Sequence, residues 1–178
     1  MRLLIADNDD SFTRNLEHLL AVETGVAPVV VNHARLDFER ARSCDLLVIS
    51  PGPGHPDDYP AYFPLLRDPA CPPVLGICLG MQLINQALGG QTDRLKGCVH
   101  GKAEAIPFQG GEAVVARYHS LAVSGVAPEL VVESENAEGT PMILAHPSRP
   151  LLGYQFHPES FLTHDPGRFI RHAIARLL

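Results

Sequence analysis

The sequence has no apolar run near the ~18–20 residues that a membrane-spanning helix needs, so neither a span nor a membrane partner is expected. It has no basic excess either: 14 Lys and Arg stand against 20 Asp and Glu, a net charge of −6 with pI near 5.8. A non-specific nucleic-acid binder normally carries a basic face, so the charge argues against nucleic acid as a partner. Cysteine pairs are missing: Cys44, Cys71, Cys78 and Cys98 are scattered without any C-x-x-C, which suggests free thiols and not a disulfide framework. The histidines form neither H-E-x-x-H nor H-x-H, so no metal site is expected. The opening MRLLIADNDD turns acidic at Asp7 and lacks the apolar core of a signal peptide, which makes the cytoplasm the expected location. Internal repeats, low-complexity tracts and linkers are absent too, so residues 1–178 read as one domain with a single substantial core.

What is present is a rhythm. The runs LLIAD (Leu3–Asp7), VAPVVVN (Val26–Asn32), DLLVIS (Asp45–Ser50) and PVLGIC (Pro73–Cys78) are short and apolar, as buried parallel strands are. Between them, Phe12, Leu16, Leu19 and Leu20 repeat at helical spacing, with Asp10 or Ser11 as the expected cap. LGMQLINQAL reads as a helix stopped by Gly89 and Gly90. This pattern predicts an α/β fold: one open, mostly parallel twisted sheet with helices on both faces. After Gly90 the segments KAEAIPF, EAVVARY, LVVESE, MILAH and LLGYQFH, parted by turn residues, predict additional short mixed strands. A closing helix from Asp165 carries the apolar stripe Phe169, Ile170, Ala173, Ile174 and Leu177.

Ligands of open parallel sheets bind beyond the carboxyl ends of the strands, and three unusual stretches fall at such ends. GICLGMQ passes from strand to helix through Gly76-x-Cys78-x-Gly80, a turn that can lift the middle side chain out of the sheet. The amino end of the next helix would lower the thiol pKa and offer N–H groups to an oxyanion. A core cysteine between two packing glycines is the plainer alternative. SPGPGHP (Ser50–Pro56) is a rigid loop whose N–H groups can face a carboxylate or oxyanion, or else a simple turn. In YQFHPES, His157 and Glu159 lie two apart, so an extended segment would point both side chains the same way. A carboxylate beside an imidazole fixes its tautomer and supports its charged form. A surface His-Pro turn is the bland reading of that stretch.

GICLGMQ together with FHPES resembles the class I, triad-type glutamine amidotransferases. DNDDSFTRNL, SPGPGHP, VHGKAEAI and RYHSL narrow the resemblance to the glutaminase subunits of chorismate-aminating enzymes, anthranilate synthase component II and its relative in 4-amino-4-deoxychorismate formation. The resemblance runs from Leu3 to the last helix. It implies that Cys78 attacks the side-chain amide of L-glutamine, that His157 moves the protons and that Glu159 holds the imidazole. It further implies an oxyanion hole from the N–H of Leu79 and one from the Gly52 loop, with Gly52, Pro53, Gly54, Gln82, Ser120 and Leu121 holding glutamine. No cofactor is implied for this chain. Its implied partner is a chorismate-binding synthase subunit, which would itself use Mg2+ and receive the ammonia. Departures from the family pattern are Met81 in place of His, Asp9 in place of an aromatic or apolar residue, and a short 103–117 region. Two rivals stay open: a stand-alone γ-glutamyl hydrolase or peptidase, and a non-catalytic binding module.

Overall fold

The structure is a computed structural model that describes residues 1–95 and 101–178, so Cys98 and the start of VHGKAEAI lie outside the described residues. The first half alternates as expected: β1 (Leu3–Asp7), α1 (Thr13–Thr24), β2 (Val29–Asn32), α2 (Phe38–Arg42), β3 (Leu46–Ile49), α3 (Tyr62–Arg67), β4 (Val74–Ile77) and α4 (Leu79–Ala87). The second half runs β5 (Gln91–Arg94), β6 (Lys102–Phe108), β7 (Gly111–Arg117), β8 (Leu121–Gly125), β9 (Val131–Glu135), β10 (Pro141–Ala145), β11 (Leu151–Tyr154) and α5 (Gly167–Leu177).

Seven strands form one sheet in the order β2-β1-β3-β4-β11-β10-β9. The first five are mutually parallel, and β10 runs antiparallel to both β11 and β9. Alternation along the strands divides the core between the faces. Leu3, Ile5, Leu46, Val48, Leu75, Ile77, Leu152 and Tyr154 pack with Leu16 and Leu20 of α1 and Phe169, Ile170 and Ala173 of α5. Leu4, Ala6, Leu47, Ile49, Val74 and Leu151 pack on the other face with α3 and α4. Helices therefore cover both faces, and no helix among the described residues is long and apolar enough to cross a membrane.

Several boundaries move for local reasons. Asp10 does not cap α1: its carboxylate accepts the Phe12 N–H at 2.8 Å, ahead of the helix, which starts at Thr13 with no side-chain cap. β2 starts at Val29 and not Val26, because Pro28 has no N–H for a ladder. Strands β5 and β8 pair with each other outside the main sheet, and β6 pairs with β7. The β6–β7 turn places Gln109 and Gly110 at φ 50° and 78°, the left-handed pair that a tight hairpin needs. Functionally the main point is that β3, β4 and β11 are adjacent and parallel. The Gly52 loop, the Cys78 turn and the His157 segment consequently leave the sheet side by side at one edge.

Candidate active site

Cys78 sits between β4 and α4 with φ 52° and ψ −101°, a backbone state that costs a non-glycine residue about 1–3 kcal/mol. Its N–H donates to the Tyr154 carbonyl of β11 at 2.7 Å, and its own carbonyl accepts from Gln82 N–H at 3.2 Å, so the turn is held from both sides. The flanking glycines bring α4 close to the sheet. A Cβ on Gly80 would strike the Ile49 carbonyl of β3, and one on Gly76 would lie 2.7 Å from Met81 N as well as overlapping the Gly80 carbonyl. Gly76 pairs with Gly153 of β11, where a Cβ would sit 2.8 Å from Met81 Cβ. Met81 is thus fully buried against the sheet, beneath the turn.

His157 follows β11, which stops at Tyr154. The chain is not extended through Glu159: the Ser160 N–H donates to the His157 carbonyl at 3.3 Å, and this turn folds Glu159 back on the ring. The two side chains meet all the same, His157 Nδ1 to Glu159 Oε1 at 2.7 Å, with both buried. An antiparallel bridge to Ala116 fixes the His157 backbone, and Tyr118 packs edge-on against the ring at 5.2 Å between centroids. Burial opposes the imidazolium most strongly, but the charges of Glu159 and then Cys78 outweigh it and raise the pKa well above the usual histidine value. With Nδ1 taken by Glu159, Nε2 is the nitrogen left for the thiol and its substrate. It has no hydrogen-bond partner among the described residues. Asp10 lies within the field of His157 and Glu159, and burial raises its pKa.

Cys78 opens on a cleft of about 170 Å³ lined by every residue expected there: Gly52, Pro53, Gly54, Leu79, Gln82, Ser120 and Leu121. Gly52 is squeezed, since a Cβ would lie 2.6 Å from Asn8 Cβ and 2.9 Å from Leu79 Cδ2. The loop is anchored through Asn8, buried at the end of β1. Asn8 donates its N–H to Ser50 Oγ and its Nδ2 to the Ser50 carbonyl, both at 2.9 Å, and its Oδ1 accepts from Tyr62 OH at 2.7 Å. This gives Asn8 of DNDDSF a physical role: it holds the loop that leads to Gly52, whose backbone packs against Leu79 at the amino end of α4.

Sequence reasoning missed three residues. Tyr118 and His119 also line the cleft, and Gln155 donates from Nε2 to Cys78 Sγ at 3.5 Å. Tyr118 OH bonds to Ser160 Oγ at 3.0 Å. Burial, aided by Arg117, lowers the His119 pKa to about 4, so this ring is neutral in the working range. All three lie in stretches already singled out, RYHSL and YQFHPES, but no spacing rule distinguishes them from packing residues. The thiols of Cys44 and Cys71 face different surroundings, and burial pushes each up to about 11.

The class-I glutamine amidotransferase family model matches residues 4–176. The anthranilate synthase component 2 of Thermus thermophilus is 40% identical over 184 residues, 96% of this chain and 89% of that protein. The aminodeoxychorismate synthase of Streptomyces griseus is 38% identical over 183 residues, 96% of this chain but only a quarter (25%) of that longer protein. In three dimensions the fold is similar to a crystal structure described as a GMP synthase protein from Thermoplasma acidophilum. The TM-score is 0.85 at 22% identity, over 99% of this chain and 94% of the other.

Proposed function

The chain belongs to the class-I glutamine amidotransferase family, and on that premise we propose that it hydrolyses L-glutamine through Cys78, His157 and Glu159 and delivers the ammonia to a chorismate-binding synthase subunit. The observation that carries this reading is the buried 2.7 Å contact between His157 Nδ1 and Glu159 Oε1 beside a strained cysteine turn. In the proposed reaction, His157 takes the Cys78 proton and the sulfur attacks the side-chain amide carbon of glutamine. The oxyanion is met by the N–H of Leu79 and one from the Gly52 loop. Its collapse breaks the C–N bond, the imidazolium gives its proton to the departing nitrogen, and ammonia leaves a γ-glutamyl thioester. Water, deprotonated by His157, then attacks the thioester, and glutamate leaves as the thiolate is restored. Glu159 holds the ring and its charge throughout and transfers no proton. Gly52, Pro53, Gly54, Gln82, Ser120 and Leu121 hold the glutamine.

The acceptor assignment draws on the names of the relatives, a component 2 of anthranilate synthase and an aminodeoxychorismate synthase. Free hydrolysis would waste ammonia, so the isolated chain should be a poor glutaminase until its synthase partner docks. The switch would be the Gly52 loop, where rotation of one peptide completes or breaks the oxyanion hole. Glutamate release measured alone, with the synthase partner, and with that partner plus chorismate tests this, and the rate should rise along the series. A high rate that is the same in all three mixtures would overturn the partner assignment in favour of a stand-alone γ-glutamyl hydrolase.

A further inference from the structure

The chain buries two glutamines at the site. Gln82 and Gln155 are 2% and 0% exposed, and a buried amide is costly unless its hydrogen bonds are met. Their partners form a directed chain. Gln82 Nε2 lies 3.0 Å from the Leu121 carbonyl and 3.1 Å from Gln155 Oε1, and Gln155 Nε2 lies 3.5 Å from Cys78 Sγ. Chemistry alone orients both amides. The Leu121 carbonyl can only accept, so Gln82 must turn its NH2 group there. Its second N–H then meets the oxygen of Gln155, which leaves the Gln155 NH2 facing the sulfur. Flipping either amide would set oxygen against oxygen or strand a buried donor.

The far end is fixed in the same sense. His119 Nδ1 lies 2.8 Å from the same Leu121 carbonyl, while Arg117 Nε donates to His119 Nε2 at 3.1 Å, so the neutral ring must carry its proton on Nδ1. The Gln155 backbone is held as well, its N–H donating to the Met142 carbonyl of β10 at 3.0 Å. An amide locked as a donor toward a sulfur favours the thiolate over the thiol, because a hydrogen bond to the charged form stabilises that form.

We propose that Gln155 is the neutral hydrogen-bond donor to the Cys78 thiolate, set in that role by Gln82, so that two groups hold the nucleophile: the imidazolium of His157 and the amide of Gln155. His157 gives up its charge when it protonates the departing nitrogen, whereas Gln155 keeps its donor through every step. It is therefore in place to receive the thiolate again when the thioester breaks, and a stabilised thiolate is the better leaving group. The catalytic consequence rests on the proposed function; the hydrogen bond itself does not.

The test is the ultraviolet absorbance of the Cys78 thiolate followed against pH, with Cys78→Ala subtracted so that the other cysteines cancel. Gln155→Leu should raise the titration midpoint by about one to two pH units, the worth of a hydrogen bond to a charged group. Gln155→Glu, which keeps the shape and can still accept from Gln82, should raise it further by placing a carboxylate against the sulfur. Midpoints equal to the parent in folded variants would overturn the proposal. A second measurement needs no Gln155 variant: in the unsubstituted chain the Gln155 side-chain amide resonance should follow the Cys78 titration and stay flat in Cys78→Ala. A flat resonance in the unsubstituted chain would also overturn it. A protein that hydrolyses no glutamine yet shows these shifts loses the proposed reaction and keeps this hydrogen bond.

Discussion

Replacing Glu159 with Gln keeps the shape of the side chain and removes the charge facing His157 Nδ1 at 2.7 Å. A hydrogen bond between charged partners contributes about 1.5–3 kcal/mol, so glutamine hydrolysis should slow about ten- to a hundredfold. The same change alters pH behaviour in a definite direction. Burial is the largest influence on His157 and disfavours its charged form; the Glu159 charge is the first of those that overcome it. In the parent chain the folded pKa lies above the unfolded value of about 6.5. The resulting stability is fully present below that pH and is lost as pH rises through the folded pKa. Glu159→Gln leaves burial opposed by Cys78 alone, so the His157 titration should move sharply down. The difference in unfolding free energy between parent and variant should then be largest on the acid side, below about pH 6.5, and shrink as pH rises through the folded pKa of the parent. Urea unfolding at a series of pH values and the imidazole NMR resonances of His157 measure both effects. A His157 that titrates identically in the two chains, or a stability gap that widens with pH, would show that Glu159 does not hold the charge of His157.

Other changes have equally definite outcomes. Cys78→Ala and Cys78→Gly should both abolish glutamine hydrolysis, but the glycine variant should be the more stable by about 1 kcal/mol in thermal unfolding, because only glycine accepts φ 52° and ψ −101° without strain. Equal stabilities would mean that the turn stores no strain. Gly80→Ala would drive a methyl into the Ile49 carbonyl and should cost about 1–3 kcal/mol by denaturant unfolding; no cost would show that α4 can move off the sheet freely. Cys44 and Cys71, each pushed up to about 11 by burial, should resist iodoacetamide at mildly alkaline pH, and Cys44→Ala and Cys71→Ala should stay active. Rapid alkylation of either in the folded chain, read by peptide mass spectrometry, would contradict the burial argument.

Much of this was legible in the residues, and the failures have physical causes. β1, β3 and β4 are read directly because a parallel strand covered on both faces must be apolar throughout, as Leu46–Ile49 is. β5, Gln91–Arg94, offers no such signal: it is polar, largely exposed and paired only with β8. β11 ends earlier than its apolar run suggests, since Phe156 stays in the core while the backbone turns away at Gln155. The Cys78 turn was visible because two close approaches of backbone to backbone require glycines at 76 and 80. The His157–Glu159 pairing was foreseen for a wrong local reason, as a turn and not an extended strand joins them. Gln155 could not be foreseen, because which amide faces the sulfur depends on Gln82 and Leu121, distant in the chain.

In the proposed reaction Cys78 carries the glutamyl group as a thioester. Incubation with isotopically labelled glutamine, rapid acid quenching and peptide mass spectrometry read that intermediate directly. A labelled γ-glutamyl thioester should accumulate on the peptide containing Cys78 before glutamate is released and be absent from Cys78→Ala. Glutamate and ammonia formed with no label on Cys78, or with the label on another side chain, would contradict it.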